Sequence, residues 1–224
     1  MKTKLFLAGL TGLLFLGSSA SAALLTYGSG TLNAAIPDGN VNGYQNTLTL
    51  SGHGSDENVI TDVNVKLNIS GGFNGDLYVY LSHSSGFSVL LNRAGRTAFN
   101  TFGYGDAGFN ITLDDQTGTD IHAYGGNGGN QLTGTWQPDA RNMDPALAIQ
   151  IAPRNAYLDS FNTLDPNGAW TLFVADMSGG DTSTLVSWEL DITAVPEPAT
   201  VALGIFALAF GLVQGGRAWR RRQA

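Results

Sequence analysis

Cysteine is absent from this chain of 224 residues. The protein therefore has no disulfide to restrict its unfolded state, and packing, hydrogen bonds or metal ions must hold the fold instead. Chemistry that needs a thiol is excluded for the same reason. Sustained helical periodicity is also missing between the two ends of the chain, which argues against a helical domain.

Basic residues are scarce outside the two ends. The region 23–194 contains five lysines and arginines against seventeen acidic residues, a formal charge of −12. This balance argues against binding to nucleic acid or to an anionic surface. Fifteen of the acidic residues are Asp, a residue that favours turns and also supplies hard oxygen ligands to cations.

Recognisable catalytic motifs are missing as well. No Gly-x-Ser-x-Gly turn frames a serine, and His53, His83 and His122 do not form a zinc-binding motif. We therefore expect a protein that is not an enzyme, with the three histidines at the surface or at strand edges.

The first 22 residues have the composition of a secretory signal peptide. Lys2 and Lys4 precede an apolar stretch over 5–16, and small residues follow up to Ala20-Ser21-Ala22. We expect signal peptidase to cleave after Ala22, which predicts export. An N-terminal membrane helix is the alternative, but the apolar stretch of about twelve residues is short for that purpose.

The last thirty residues combine three features in a fixed order. A proline-containing motif comes first, an apolar run over 199–213 follows, and a basic tail ends the chain. The motif consists of Val195, Pro196, Glu197 and Pro198, and the tail contains Arg217, Arg220, Arg221 and Arg222. As a helix at about 1.5 Å per residue, the apolar segment is a short transmembrane helix, and the arginines predict that its end faces the cytoplasm.

This order resembles the PEP-CTERM sorting signal of Gram-negative bacteria, over residues 195–224. The resemblance implies that an exosortase recognises the motif, that the membrane helix and basic tail are removed, and that the upstream domain reaches the outer surface or the extracellular matrix. An ordinary C-terminal membrane anchor is the alternative. Either interpretation leaves residues 23–194, a length typical of one domain.

The central region has the pattern of an all-β protein. Residues 62–69 alternate polar and apolar side chains, which predicts a half-buried strand, and 76–81 predict a strand buried on both faces. The glycine-rich turn between them predicts a hairpin. Further strands are expected at 47–50, 87–91, 109–113, 170–174 and 188–192. Residues 124–130 are expected to form a long irregular loop. The pattern favours an antiparallel sandwich or jelly roll.

Five separated segments resemble the P domain (P/Homo B) of subtilisin-like proprotein convertases. They are residues 36–38, 63–69, 75–81, 168–176 and 185–190. The resemblance implies a jelly-roll β-sandwich. The segment 93–162 departs from the family by being longer and richer in glycine, and we expect no protease domain ahead of the module. A convertase activity is therefore not expected from the resemblance.

Calcium is the metal that the composition favours. An exported, Asp-rich sandwich offers hard oxygen ligands in its loops, although no Asp-x-Asp-x-Asp-Gly loop is present. Asp176 has the alternative role of capping backbone donors in the turn after its strand. The candidate ligands are Asp38, Asp114, Asp115, Asp176 and Asp181.

Tryptophans are the candidate sugar contacts. Trp170 and Trp188 lie in strand patterns and are expected to be buried. Trp136 lies in the segment that departs from the family, so it is the candidate for an exposed ligand contact, with packing as the alternative.

The sequence thus predicts an exported module without enzymatic activity, with a structural or adhesive role in exopolysaccharide or biofilm matrix. A carbohydrate-binding module is one alternative, and a domain that assists a serine protease is another.

Overall fold

A computed structural model describes residues 21–54, 57–196 and 204–212. Within these ranges the chain forms ten strands and three short 3₁₀ helices, and 204–212 are helical. The strands are β1 Ala23–Gly28, β2 Ala34–Ala35, β3 Asn40–Leu50, β4 Val59–Gly71, β5 Leu77–His83, β6 Gly86–Asn92, β7 Gly108–Leu113, β8 Leu132–Trp136, β9 Gly168–Asp176 and β10 Ser183–Val195. The 3₁₀ helices are Asn74–Asp76, Ile121–Ala123 and Leu158–Phe161.

The predicted end signals fall largely outside the described residues. Ala20, Glu197, Pro198, Arg217, Arg220, Arg221 and Arg222 are among those not described. Ala22 directly precedes β1, and Val195 is the last residue of β10. None of the helices within the described ranges has the length and apolar character needed to cross a membrane.

The strands form two sheets in a sandwich-like arrangement. We call the sheet with order β1-β10-β4-β7-β8, in which β2 also pairs with β10, the large sheet. The small sheet has the order β3-β9-β5-β6. All pairings between these strands are antiparallel except β7 with β8, which is parallel, so the prediction of a wholly antiparallel protein was wrong at this edge.

Period-2 alternation explains how each sheet faces the core. In β4, Val63, Val65, Leu67 and Ile69 are buried, whereas Lys66 between them is exposed, and this confirms the predicted half-buried strand. The inner residues of both sheets belong to one hydrophobic core. Successive side chains of a strand point to opposite faces, so only one face of each sheet needs to be apolar.

The predicted hairpin between the fourth and fifth strands was wrong. β4 pairs with β10 and β7 in the large sheet, whereas β5 pairs with β6 and β9 in the small sheet. The glycine-rich turn therefore carries the chain from one sheet to the other. The second face of β5 is also not fully buried, because Tyr78 and Tyr80 remain partly exposed on its outer side.

Trp170 and Trp188 fill the core, as predicted from their strand patterns. The indole N–H of Trp188 donates to Oδ1 of Asn46 at 2.7 Å, which joins the two sheets. The indole N–H of Trp170 donates to the carbonyl of Pro166 at 2.9 Å. Both buried donors are thus satisfied, which limits the cost of burying a polar atom.

The segment 93–162 covers the edge of the small sheet. The backbone N–H of Ala140 donates to the carbonyl of Val89, and the N–H of Val89 donates to the carbonyl of Ala156. Edge strands with unpaired backbone groups invite association with other chains, so this covering protects β6.

The glycine-rich loop 124–130 is irregular, as predicted, but a buried carboxylate organises it. Asp106 accepts hydrogen bonds from the hydroxyl of Tyr124 and from the backbone N–H groups of Asn127 and Gly129, at 2.6 to 2.8 Å. Its own exposure is 3%. The loop is therefore anchored to the sandwich at three points.

Candidate functional sites

Four aspartates from separate elements surround one end of the sandwich. Asp176 ends β9, Asp76 ends the 3₁₀ helix before β5, Asp38 precedes β3, and Asp181 precedes β10; each is close enough to another member for their charges to repel. We call this group the acidic end. It contains three of the predicted calcium ligands, and sequence analysis missed Asp76. The pairing of Leu77 with the end of β9 is what brings Asp76 close, and no local pattern shows that pairing.

Asp176 is the central residue of the acidic end. Its side chain is almost fully buried; Oδ1 accepts a hydrogen bond from the N–H of Ser178 at 3.1 Å, whereas Oδ2 has no partner. Burial raises the pKa of Asp176 to about 6, and repulsion from Asp76 and Asp38 adds to the effect. An unpaired buried carboxylate oxygen is unfavourable, so this position favours a proton or a cation.

Two other members of the group, Asp76 and Asp38, are held by hydrogen bonds. Asp76 forms an ion pair with Arg93 at 3.0 Å, yet burial still raises its pKa. Asp38 accepts from the backbone N–H of Gly180 at 3.1 Å. Both carboxylates thus have a structural role in holding the turns at this end together.

Asp114 and Asp115 lie elsewhere, in the turn after β7. Oδ1 of Asp114 accepts from the N–H of Gln116 at 2.7 Å, and Oδ2 of Asp115 accepts from the N–H of Asp159 at 2.7 Å. Oδ1 of Asp115 is buried without a partner, and burial raises its pKa. The five predicted calcium ligands therefore fall into two groups. Nowhere in the described ranges do three His, Cys, Asp or Glu side chains converge closely enough to hold a metal by themselves.

A buried polar network fixes the segment 93–162 in place. Nδ1 of His122 lies 2.7 Å from Oδ2 of Asp139, and Arg141 bridges Oδ1 of Asp139 at 3.0 Å and Oδ2 of Asp120 at 2.8 Å. The backbone N–H of Asn92 in β6 also donates to Asp139. Each residue of the network has at least one polar partner, which is the usual condition for burying such groups, but Nε of Arg141 and Oδ1 of Asn92 have none.

The predicted surface or edge placement of the histidines was wrong for two of the three. His122 and His83 are 0% and 3% exposed. The His83 ring stacks on Trp170 with 4.0 Å between centroids, and both of its nitrogens contact backbone carbonyls. His53 contacts the hydroxyl of Tyr27 and, at 2.9 Å, Oε2 of Glu57. Burial raises the pKa of Tyr27 above its usual range, with Glu57 adding to this, which does not favour a nucleophilic tyrosinate.

Trp136 is only partly exposed. It packs against the core, its ring centroid lies 6.0 Å from that of Tyr124, and its indole N–H donates to the carbonyl of Thr133 at 2.9 Å. These contacts show the packing role that sequence analysis left open. A ligand contact through the exposed part of the ring stays a prediction.

Comparisons with known proteins give little further information. No protein-family model matches the sequence, and no curated protein matches it. Two solved structures of the serine protease of Aeromonas sobria, one of them in complex with its chaperone, resemble this fold at a TM-score of 0.44. Their sequences are 14% and 13% identical, and the matches cover 79% and 78% of this chain but only 28% and 27% of those chains. A likeness at this level supports no argument about what the chain does.

Proposed function

We propose that this protein is an exported β-sandwich without enzymatic activity, which acts as a structural or adhesive module at the cell surface or in an extracellular polysaccharide matrix. One observation carries the proposal. β1 begins at Ala23 and β10 ends at Val195, and Ala23 lies opposite Ala194 in the sheet. The first and last strands of the described sandwich therefore pair with each other, directly between the two predicted processing signals.

This arrangement suits a folded module with the predicted export and sorting signals at its two ends. Ala22, after which cleavage is predicted, and Val195, the first residue of the motif, both lie at the end of the large sheet where β1 begins and β10 stops. Cleavage after Ala22 leaves β1 intact, and cleavage after Val195 leaves β10 intact. The acidic end, near Ser183 and Asp176, lies at the opposite end of the strands and would stay accessible.

The finer parts of the proposal rest on the sequence resemblances. The fold is a jelly roll of the P-domain type, and an exosortase processes the chain after signal peptidase has removed residues 1–22. Before processing, the C-terminal segment holds the protein in the inner membrane of a Gram-negative bacterium. Calcium, where it binds, does so at the acidic end with backbone carbonyls and water completing its ligands, as this ion accepts varied oxygen ligands.

The decisive experiment is intact-mass analysis of the protein recovered from its native host, with and without the exosortase. We expect a chain that starts at Ala23 and lacks the basic tail, found at the surface or in the matrix. Loss of the exosortase should leave the tail in place. Recovery of the uncut chain from the cytosol contradicts the proposal.

Two alternatives have their own tests. A carbohydrate-binding module through Trp136 predicts that Trp136→Ala abolishes retardation by polysaccharide in a gel. A role with a serine protease predicts co-purification with such an enzyme, or peptidase activity that its inhibitors block, and the absence of both removes it.

A further inference from the structure

The outer faces of the two sheets differ sharply in charge. On the large sheet, Lys66 forms ion pairs with Glu189 and Asp191, and Asp191 also accepts from the hydroxyl of Thr26 at 2.6 Å. On the small sheet, the four strands contain no Glu, Lys or Arg, and their only Asp is Asp176, which is buried at the acidic end; His83 of β5 is buried as well. A domain with a formal charge of −12 thus has one uncharged sheet face.

Aromatic rings form a continuous row on this uncharged face. Tyr80 stacks on Phe173 of the neighbouring strand, with 4.7 Å between centroids and 16° between planes. Phe87 and Tyr78 contact Tyr80 at 5.2 and 5.9 Å. The ring of Phe173 extends over Gly43, where a Cβ atom would lie 2.8 Å from its Cζ. The row therefore reaches from β6 across β5 and β9 to β3. Phe173 is only 8% exposed, so Tyr78, Tyr80 and Phe87 supply most of the accessible ring surface.

Neutral hydrogen-bonding groups lie beside the aromatic row. Thr47, Thr171 and Ser82 stand opposite one another on β3, β9 and β5, and the hydroxyls of Thr47 and Thr171 are 2.9 Å apart. Gln45 lies opposite Phe173 and is exposed. The face thus combines apolar ring surface with hydroxyl and amide groups that can both donate and accept.

The segment 93–162 covers one side of the face and leaves the rest open. Asn92 and Val89 of β6 are fully buried beneath it, and the hydroxyl of Ser160 donates to the carbonyl of Phe87. The open part spans β3, β5 and the first half of β9, because Phe173 and Ala175 farther along β9 are 8% and 0% exposed. At a strand spacing of about 4.8 Å and a rise of about 3.4 Å per residue, it measures on the order of 10 Å across and 14 Å along.

This chemistry fits one class of ligand. A pyranose ring has apolar C–H surface that packs on aromatic rings and hydroxyl groups that bond to threonine, serine and glutamine, and it carries no charge. An anionic ligand would be opposed by the net charge of the domain, and protein interfaces usually add arginine anchors that this face lacks. Because aromatic rings lie beside neutral hydroxyl and amide groups on this face, we infer that the outer face of the small sheet binds a neutral polysaccharide. The inference rests on the proposed adhesive function and assigns it a surface.

The test is affinity electrophoresis of the full chain in gels that contain hydroxyethyl cellulose or dextran, with alginate as the anionic probe. We expect retardation by at least one neutral polymer and none by alginate. Thr47→Ala and Gln45→Ala, both at exposed positions, should raise the dissociation constant several-fold, and Tyr80→Ala should raise it about tenfold, equivalent to the loss of one aromatic contact.

Matched control variants distinguish the outer face of the small sheet from the outer face of the large sheet and from Trp136. Thr26→Ala removes an exposed, hydrogen-bonded threonine from the outer face of the large sheet and should leave retardation unchanged, as should Trp136→Ala. Circular dichroism and thermal melts check that each variant is folded; if Tyr80→Ala is unfolded, the two exposed variants decide the result. Lack of retardation by both neutral polymers, loss of it only in Trp136→Ala, or stronger retardation by alginate overturns the inference.

Failure of this inference and failure of the proposed function give different results. A protein found at the cell surface that no neutral polymer retards contradicts only the binding face. A protein that these polymers retard through Thr47 and Tyr80, but that stays uncut in the cytosol, contradicts only the export and sorting.

Discussion

At the scale of single residues, the unusual group is Asp176. Its pKa of about 6 lies well above the value near 3.8 expected in the unfolded chain, because the folded protein buries the carboxylate and leaves Oδ2 without a partner. Burial also raises the pKa values of Asp76 and Asp115, whereas the pKa of Asp191 is lowered by Thr26 and Lys66 against the effect of burial. The protonated form of Asp176 is thus the form that folding favours.

The free energy of unfolding should therefore depend on pH in a defined direction. The contribution of Asp176 is complete below about pH 4 and is lost as the pH rises through about 6, because the folded state holds the proton more tightly than the unfolded state. The loss is on the order of 1 to 3 kcal/mol. Urea titrations in chelator at pH 4.5, 6 and 7.5 measure it. In Asp176→Asn, the fall in the free energy of unfolding that Asp176 causes between pH 4.5 and 7.5 should disappear. If the variant shows the same fall as the original protein, Asp176 is not its source.

The buried carboxylate of Asp176 can be stabilised by a bound calcium ion instead of by a proton. The calcium hypothesis predicts that CaCl₂ raises the melting temperature at pH 7.5 relative to chelator, because a ligand of the native state alone stabilises it. Asp176→Asn should abolish that increase, while Asp144→Asn, at an exposed position, should retain it. Melting curves that coincide in CaCl₂ and chelator remove the hypothesis.

At the scale of elements, the long segment 93–162 depends on its buried network. Asp139 accepts from β6, from His122 and from Arg141, so its removal leaves several buried groups without their partner. We expect Asp139→Ala to lower the free energy of unfolding by about 3 to 5 kcal/mol. Asp144→Ala, which loses only a local contact to the N–H of Ala146, should cost about 1 kcal/mol or less. Similar losses in the two variants, measured by urea denaturation, contradict a structural role for the network.

The register of β3 against β9 shifts between Asn40 and Tyr44, and the glycine in this irregular stretch gives a second test. Gly43 has a φ of 55°, and an added Cβ would lie 2.3 Å from the carbonyl oxygen of Val174. Gly52 has a φ of 91° but no atom within 4 Å of such a Cβ. Gly52→Ala should cost about 1 to 2 kcal/mol through backbone strain alone, and Gly43→Ala about 1 to 3 kcal/mol more through the clash. Equal melting temperatures for the two variants would mean that β3 shifts away from Val174 and relieves the clash, which contradicts the expected difference.

At the scale of the whole molecule, distant segments of the chain hold the sandwich together. β10 pairs with β1, β2 and β4, and β9 pairs with β3 and β5. A large loop-closure entropy must be overcome before these contacts form.

Refolding from urea should consequently take milliseconds to seconds, in the range of sandwiches rather than helical bundles. Fluorescence of the buried Trp170 and Trp188 in a stopped-flow instrument follows the process. Refolding within microseconds contradicts a fold that depends on these long-range pairings.

Local pattern determined much of this protein. Alternation over 62–69, apolar content at 170–174 and 188–192, and glycine-rich turns predicted β structure, the inner face of β4 and the burial of two tryptophans, since each depends on neighbours in the sequence. Only the tertiary structure decided that β4 and β5 belong to different sheets, that Asp76 lies beside Asp176, and that His122 is buried against Asp139. Those contacts join residues far apart in the chain, and their energy depends on burial that no short window of sequence records.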